Sequence, residues 1–349
     1  MVPDHQDDEA QWGVNHMDGG ERQGSGHFVL QRRKAALVLF SVTLIWGATF
    51  IWMKQLLNAL ETPLEVHGTV SVVAFLVGAR FAMALALMLV AVPGSRRSLN
   101  DPAIHRGGLL LGGLMLVGFF SQMVALEDIN PSTSAFLTSL YVVMTALITS
   151  RMDGHLPTRA LLWGVMLATL GAGFIEGPPH VSWGVAELVT VLSALFFAFH
   201  IVATQHWTTE HDPLPLTLVS FAVVACGAFA LTLITAASPL TLITDVLGQP
   251  GVLLPLVCLG VGGSFFCLLA LNMYQRHLHP VHAAVLYTFE PVWATLFGLV
   301  LGLVPFTWWM VAGGGVLVLG NIVVELSATK AEDVGPGENP SKTEGVSQA

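Results

Sequence analysis

Charge is scarce in this chain: of 349 residues only 11% are Asp, Glu, Lys or Arg, against 54% hydrophobic. An ordinary soluble domain carries roughly 25% charged residues, so that class is excluded. Cysteine is also rare, with Cys226, Cys258 and Cys267 alone, an odd number inside apolar runs, which excludes a disulfide framework and predicts reduced, buried thiols. The chain contains no Gly-x-x-x-x-Gly-Lys-Ser/Thr run, so no ATP site is expected, nor any other cofactor. No nucleic-acid partner is expected either. What remains is a lipid-facing composition with a mean hydropathy of +0.69.

Apolar runs long enough to approach the ~30 Å of a bilayer core recur along the chain. They cover residues 35–57, 68–92, 107–126, 132–150, 160–175, 183–205, 216–236, 252–274, 282–303 and 307–326. The expected fold is therefore all-α and integral to a membrane, with ten helices. Breakers stand between the runs at Pro93-Gly94, Asn130-Pro131, Pro178-Pro179, Ser238-Pro239 and His279-Pro280. Residues 1–34 and 327–349 are polar and Gly-containing and are expected to be disordered tails. The first run has no small-residue cleavage site in the expected place and reads as a retained helix rather than a signal peptide.

With the N-terminus in the cytoplasm, 12 of the 14 basic residues fall on the cytoplasmic side: Arg22, Arg32, Arg33, Lys34, Arg96, Arg97, Arg106, Arg151, Arg159, Arg276, Lys330 and Lys342. Glu61, Glu65, Glu127, Asp128, Glu176 and Asp245 fall opposite. The bias predicts both termini inside and a cytoplasmic-membrane location. Lys54 and Arg80 are the two basic residues within helices.

An internal repeat shows at an offset of 149 residues. Pro131 aligns with Pro280, Leu137 with Leu286, Gly164 with Gly313, Leu170 with Leu319 and Gly171 with Gly320. Two units are expected, residues 35–176 and 177–326. Because each holds an odd number of helices, the second enters the bilayer inverted, an organisation common among secondary transporters.

On these residues the chain resembles the EamA family of the drug/metabolite transporter superfamily. "LIWGATFIWMK" (44–54) is similar to its Trp-Gly-x-x-Phe…Lys first helix and "GARFAMALALML" (78–89) to its Arg-Phe second helix. "NPSTSAFLTSLYVVMTAL" (130–147) and "HPVHAAVLYTFEPVWATLFG" (279–298) resemble its fourth and ninth. The resemblance implies a carrier that moves small organic metabolites, amino-acid-like or drug-like, by alternating access, commonly outward. Proton coupling and a homodimer stay open.

The candidate site residues are the polar and aromatic groups at membrane depth. Glu290 and Arg80 both fall near the midplane, where a charge costs roughly 2.5–3.5 kcal/mol unless paired or protonated. Either they titrate or bind cargo during transport, or they form a fixed pair that pins the helices. Trp46, Trp52, Tyr141, Tyr287 and Trp293 could wall an aromatic cavity, with ordinary packing the competing explanation. His200, Gln122 and Asn272 suit interhelical hydrogen bonds more often than ligand contact. Pro291 is expected to kink the ninth helix. Since its partner run carries Tyr141-Val142 where Glu290-Pro291 stand, kink and charge are both expected in one half only.

His277, His279 and His282 fit a plain turn better than a metal site, with no ligand beside them to complete one. Gly108 with Gly112, Gly164 with Ala168 and Ala172, and Gly313–Gly315 are expected packing seams. A membrane scaffold without transport activity is one alternative. A remote one is an intramembrane hydrolase built on Ser264 and His200.

Overall fold

The computed structural model describes residues 9–154, 157–174, 184–303 and 305–333; Glu176, the Pro178-Pro179 break and the tail from residue 334 lie outside them. Every element among the described residues is helical. The first, α1 (Glu9–Ala59), starts inside the segment whose composition predicts a disordered tail, and its membrane-compatible part is Leu30–Ala59. There follow α2 (Glu61–His67), α3 (Thr69–Ala91), α4 (Pro102–Ala125), α5 (Pro131–Ser139), α6 (Tyr141–Asp153) and α7 (Arg159–Phe174). The second half holds α8 (Val185–Glu210), α9 (Pro213–Thr235), α10 (Pro239–Gly248), α11 (Leu253–Cys258), a π-helical stretch Leu259–Phe266, and α12 (Cys267–Tyr274). It ends with α13 (Pro280–Tyr287), α14 (Glu290–Val300) and α15 (Trp308–Asp333).

Local chemistry sets many of these boundaries. Asp101 and Asp212 cap α4 and α9 by accepting from the backbone N–H groups of Ala103 and Leu214 at 2.8 and 3.0 Å. Proline stands in the first turn of α4, α5, α9, α10, α13 and α14, where its missing N–H removes no helical bond. Lys54 closes the far end of α4: its Nζ donates to the carbonyls of Leu126, Glu127 and Ile129 at 2.9, 2.9 and 3.2 Å. An ammonium at a helix C-terminus also suits the helix dipole.

Among the described residues eight helical stretches are long and apolar enough to cross a membrane, where the hydropathy pattern predicts ten. The two that differ are the fifth and tenth runs, the shorter apolar helices Arg159–Phe174 and Trp308–Val324. A further short apolar helix, Pro239–Gly248, occupies what reads in sequence as a break.

The two repeats interleave rather than sit side by side. α1 packs on α14 and α8 on α6, so the first helix of each half holds the fourth helix of the other. In the same way α4 packs on α9, and α3 on the π-helical stretch. The seam between α7 and α15 shows the symmetry atom by atom. A Cβ on Gly171 would lie 2.2 Å from the backbone N of Leu317, and one on Gly320 would lie 2.4 Å from that of Ala168. Residues 168 and 317, like 171 and 320, are one repeat offset apart, so these two contacts are images of each other under a two-fold rotation. Small residues let the backbones meet at that crossing. Gly108 and Gly112 form a second seam, facing Val219 and the Ser220 carbonyl of α9. Gly314 and Gly315 do not join a seam, having nothing within 4 Å of an added Cβ.

Candidate functional site

The fourth and ninth apolar runs are each interrupted near mid-length. α5 gives way to α6 at Leu140, and α13 to α14 at Thr288 and Phe289. This corrects the expectation of a kink in one half only, since the first-repeat break forms with no proline at its position. The two breaks share a feature in their side chains, one that continuous helices also carry at Thr43, Thr49 and Ser193. The Ser139 hydroxyl donates to the Phe136 carbonyl at 2.7 Å, and the Thr288 hydroxyl to the Val285 carbonyl at 2.6 Å. Ser139 and Thr288 are one repeat offset apart, and hydroxyls that bond back to i−3 carbonyls compete with the helical ladder. Pro291 sits just after the break, in the first turn of α14, where it starts a helix rather than bending one.

Both breaks deliver a polar side chain to the same point. Tyr141 opens α6, Glu290 opens α14, and the Tyr141 hydroxyl donates to Glu290 Oε1 at 3.4 Å, with both residues buried. These two are also 149 residues apart, so they meet on the two-fold axis that passes through the α7–α15 seam. The N-terminus of α14 favours a carboxylate at Glu290.

Around this contact lies a cavity enclosing about 540 Å³ of space not filled by atoms, counting its opening to solvent. Five of the six residues singled out as binding or coupling candidates line it: Trp46, Tyr141, His200, Tyr287 and Glu290. The aromatic groups are mutually braced. Trp46 and Tyr287 ring centres are 5.3 Å apart at 74°, and Tyr141 and Tyr287 are 6.4 Å apart at 67°. Trp46 Nε1 donates to the Gly263 carbonyl at 3.2 Å. Beside it, Gly47 lets α14 approach so closely that an added Cβ would lie 3.0 Å from the Glu290 carbonyl oxygen. Trp52 and Trp293 are not part of the wall; Trp293 donates to the Thr43 hydroxyl at 2.9 Å and packs against Phe40.

Two residues of the cavity wall, Tyr287 and Ile201, are joined by a chain of bonds through a buried amide. The Tyr287 hydroxyl donates to Gln275 Oε1 at 3.1 Å, and Gln275 Nε2 donates to the Ile201 carbonyl at 2.6 Å, with Gln275 fully buried. Sequence reasoning misses Gln275, because at a helix end it looks like a surface amide. Gln122, expected to bond between helices, does so with Nε2 to the Thr138 hydroxyl at 3.1 Å, and both line the cavity. Asn272 likewise reaches Thr217 of α9 at 2.7 Å. His200 contacts Thr204 within its own helix at 3.5 Å.

Arg80, the sixth candidate, stands apart from Glu290. Its Nε donates to the Ser264 hydroxyl at 2.8 Å, and among the described residues no ion pair joins it to a carboxylate. Ser264 is thus held by Arg80 and not by His200, so the residues considered for a hydrolytic pair are not brought together. Among the described residues no three His, Cys, Asp or Glu side chains cluster as a metal site would need. The His279 and His282 rings are 5.6 Å apart.

The EamA-like transporter family model matches this chain twice, over residues 33–176 and 184–326. An uncharacterized transporter of Archaeoglobus fulgidus is 25% identical over 305 residues, covering 87% of this chain and 90% of that one. A crystal structure with 17% identity superposes with a TM-score of 0.62 over 86% of this chain and 99% of its own, a likeness of fold. The two family matches coincide with the interleaved halves whose fourth helices meet at Tyr141 and Glu290.

Proposed function

Because the chain belongs to the EamA-like transporter family, we propose that it is a secondary carrier exporting small organic metabolites across the cytoplasmic membrane by alternating access. The observation that carries this reading is the cavity on the axis between two interleaved repeats, with Tyr141 of one half bonded to Glu290 of the other. Two halves related by a two-fold in the membrane plane have two arrangements of nearly equal energy, one open to each side. A cavity lying on that axis is common to both, so cargo bound there can be presented alternately.

Ten spans, including the short α7 and α15, are part of this proposal. Their antiparallel, glycine-lined seam supports it, since lipid-exposed backbone must be satisfied within helices. Both termini inside is supported by the distribution of Lys and Arg. The aromatic wall with one carboxyl suits an amino-acid-like or amphipathic cargo with a cationic or hydrogen-bonding head. Proton coupling through Glu290 is a further part: a carboxyl bonded to one tyrosine hydroxyl can exchange a proton when the halves separate.

The test is comparison of metabolites retained and released by cells with and without the protein, followed by flux of the best hit in proteoliposomes. Accumulation of specific solutes in the deletion strain, and pH-dependent flux lost in Glu290→Gln, is the expected result. Flat metabolite profiles with no flux would leave a scaffold as the better account, and pH-independent flux in Glu290→Gln would remove Glu290 from coupling.

A further inference from the structure

Arg80 is only 1% exposed, near mid-helix in α3. A guanidinium has five N–H donors. Here one bond runs to the Ser264 hydroxyl, and Nη1 lies 4.0 Å from the Met53 sulfur, a weak acceptor. Two ring faces and the Cys267 thiol also stand close: its central carbon is 4.7 Å from the Phe119 ring centre and 5.4 Å from that of Phe81. Buried cations are normally paired with carboxylates, because aromatic faces and a hydroxyl replace only part of the lost hydration.

Two neighbours of Arg80 are themselves part of the cavity wall. Phe119 lines the cavity. Thr49 lines it too, and the bare Gly263 lets the Thr49 methyl and Arg80 come together: an added Cβ would collide with the first at 2.7 Å and lie 3.5 Å from Nη2 of the second. The π-helical stretch makes this arrangement, presenting Gly263 and Ser264 together towards α1 and α3. The guanidinium is thus one side chain behind the wall.

We propose that Arg80 is a screened anion-accepting group of the central cavity, taking the carboxylate of an organic cargo when the Phe119 ring turns aside. This rests on the carrier reading and adds a second pole to its cavity, opposite in charge preference to Glu290. Phe119 keeps the arginine dry while the cavity is empty, and cargo with a carboxylate repays the displacement of the ring through a charge-assisted, forked contact. The competing role is a structural one, in which Arg80 only ties α3 to the π-helical stretch.

Phenylacetate and phenylacetamide, alike in shape and different in charge, separate the two roles when titrated onto the purified full chain and followed by tryptophan fluorescence. Phenylacetate is expected to bind about tenfold or more tightly, the scale of a hydrogen bond to a charged group. In Arg80→Gln that preference should collapse to about twofold or less with amide binding retained, and Arg80→Lys should keep part of it. Phe119→Leu, which thins the screen, should raise the ratio of acid to amide affinity severalfold, whatever the change in the wall does to both. Equal binding of acid and amide, binding of neither, or a preference that survives Arg80→Gln overturns the proposal. If Arg80→Gln does not fold, an unaltered acid preference in Phe119→Leu overturns it instead. Acid-selective binding without flux in vesicles would count against the carrier and not against this site, whereas flux without acid selectivity would do the reverse.

Discussion

Replacing Gly171 by alanine puts a methyl group where the structure has backbone. The new Cβ would stand 2.2 Å from Leu317 N, 2.6 Å from its Cα and 2.7 Å from the Gly313 carbonyl oxygen. Ordinary contact begins about 1.2 Å further out, and no side-chain rotation relieves a collision with main chain, so α7 and α15 must part. Overpacking of a close seam costs about 1–3 kcal/mol, and a backbone collision lies at the upper end. At about 2 °C per kcal/mol for a chain of this size, the melting temperature should fall by about 5 °C in detergent. Gly314→Ala, only three residues from Leu317, is the control. With nothing within 4 Å of its added methyl, it should be neutral or raise the melting temperature slightly, as alanine favours helix over glycine by about 1 kcal/mol. Gly320→Ala should match Gly171→Ala, because its Cβ would meet Ala168 in the symmetry-related position. The double variant should cost less than the two singles together, since one separation of the helices relieves both. Equal melting of Gly171→Ala and Gly314→Ala, or full additivity of the Gly171 and Gly320 changes, would refute the shared two-fold seam.

The Tyr141–Glu290 bond is testable by a double-mutant cycle on Tyr141→Phe and Glu290→Gln, where a coupling of about 0.5–1.5 kcal/mol in chemical or thermal melting is expected; strict additivity would show that the two groups do not interact. Lys54→Met leaves three backbone carbonyls at the end of α4 without their donor and should destabilise the chain by about 1–3 kcal/mol, read as a lowered melting midpoint, with Arg at the same position recovering part of it. Topology is open to an impermeant maleimide on a background without the three native cysteines. Ser98→Cys should label only from the cytoplasmic side and Asp245→Cys only from the opposite one, and the reverse pattern would invert the orientation.

Much of the candidate site is legible in the amino-acid sequence. Glu290, Tyr141, Tyr287, Trp46 and His200 stand out because polar and amphipathic side chains are rare at membrane depth, and the cavity gathers all five. The break in the fourth helix is hidden because no proline stands at it and the Ser139 hydroxyl bond beside it is of a kind found in membrane helices without any break. An equivalent hydroxyl at Thr288 is the available signal. Gln275 is hidden for another reason: its burial depends on α8 and α13 closing over it. Arg80 can be placed by depth but not paired, because the partner comes from the π-helical stretch, and no periodicity in residues 259–266 announces that geometry.

By itself the sequence determined a polytopic all-helical membrane chain, its internal repeat and its family, because solvation by lipid acts on each segment separately and leaves a local hydropathy signature. Which residues face each other was decided only by tertiary structure. Packing depends on shape at contact, at Gly171 against Leu317 and Gly47 against α14, and two repeats of an inverted pair could in principle lie adjacent or interleave. The interleaving is what places Tyr141 on Glu290 and Ser264 on Arg80, and so sets a carboxyl against the aromatic wall of one cavity with a buried cation tied close behind it.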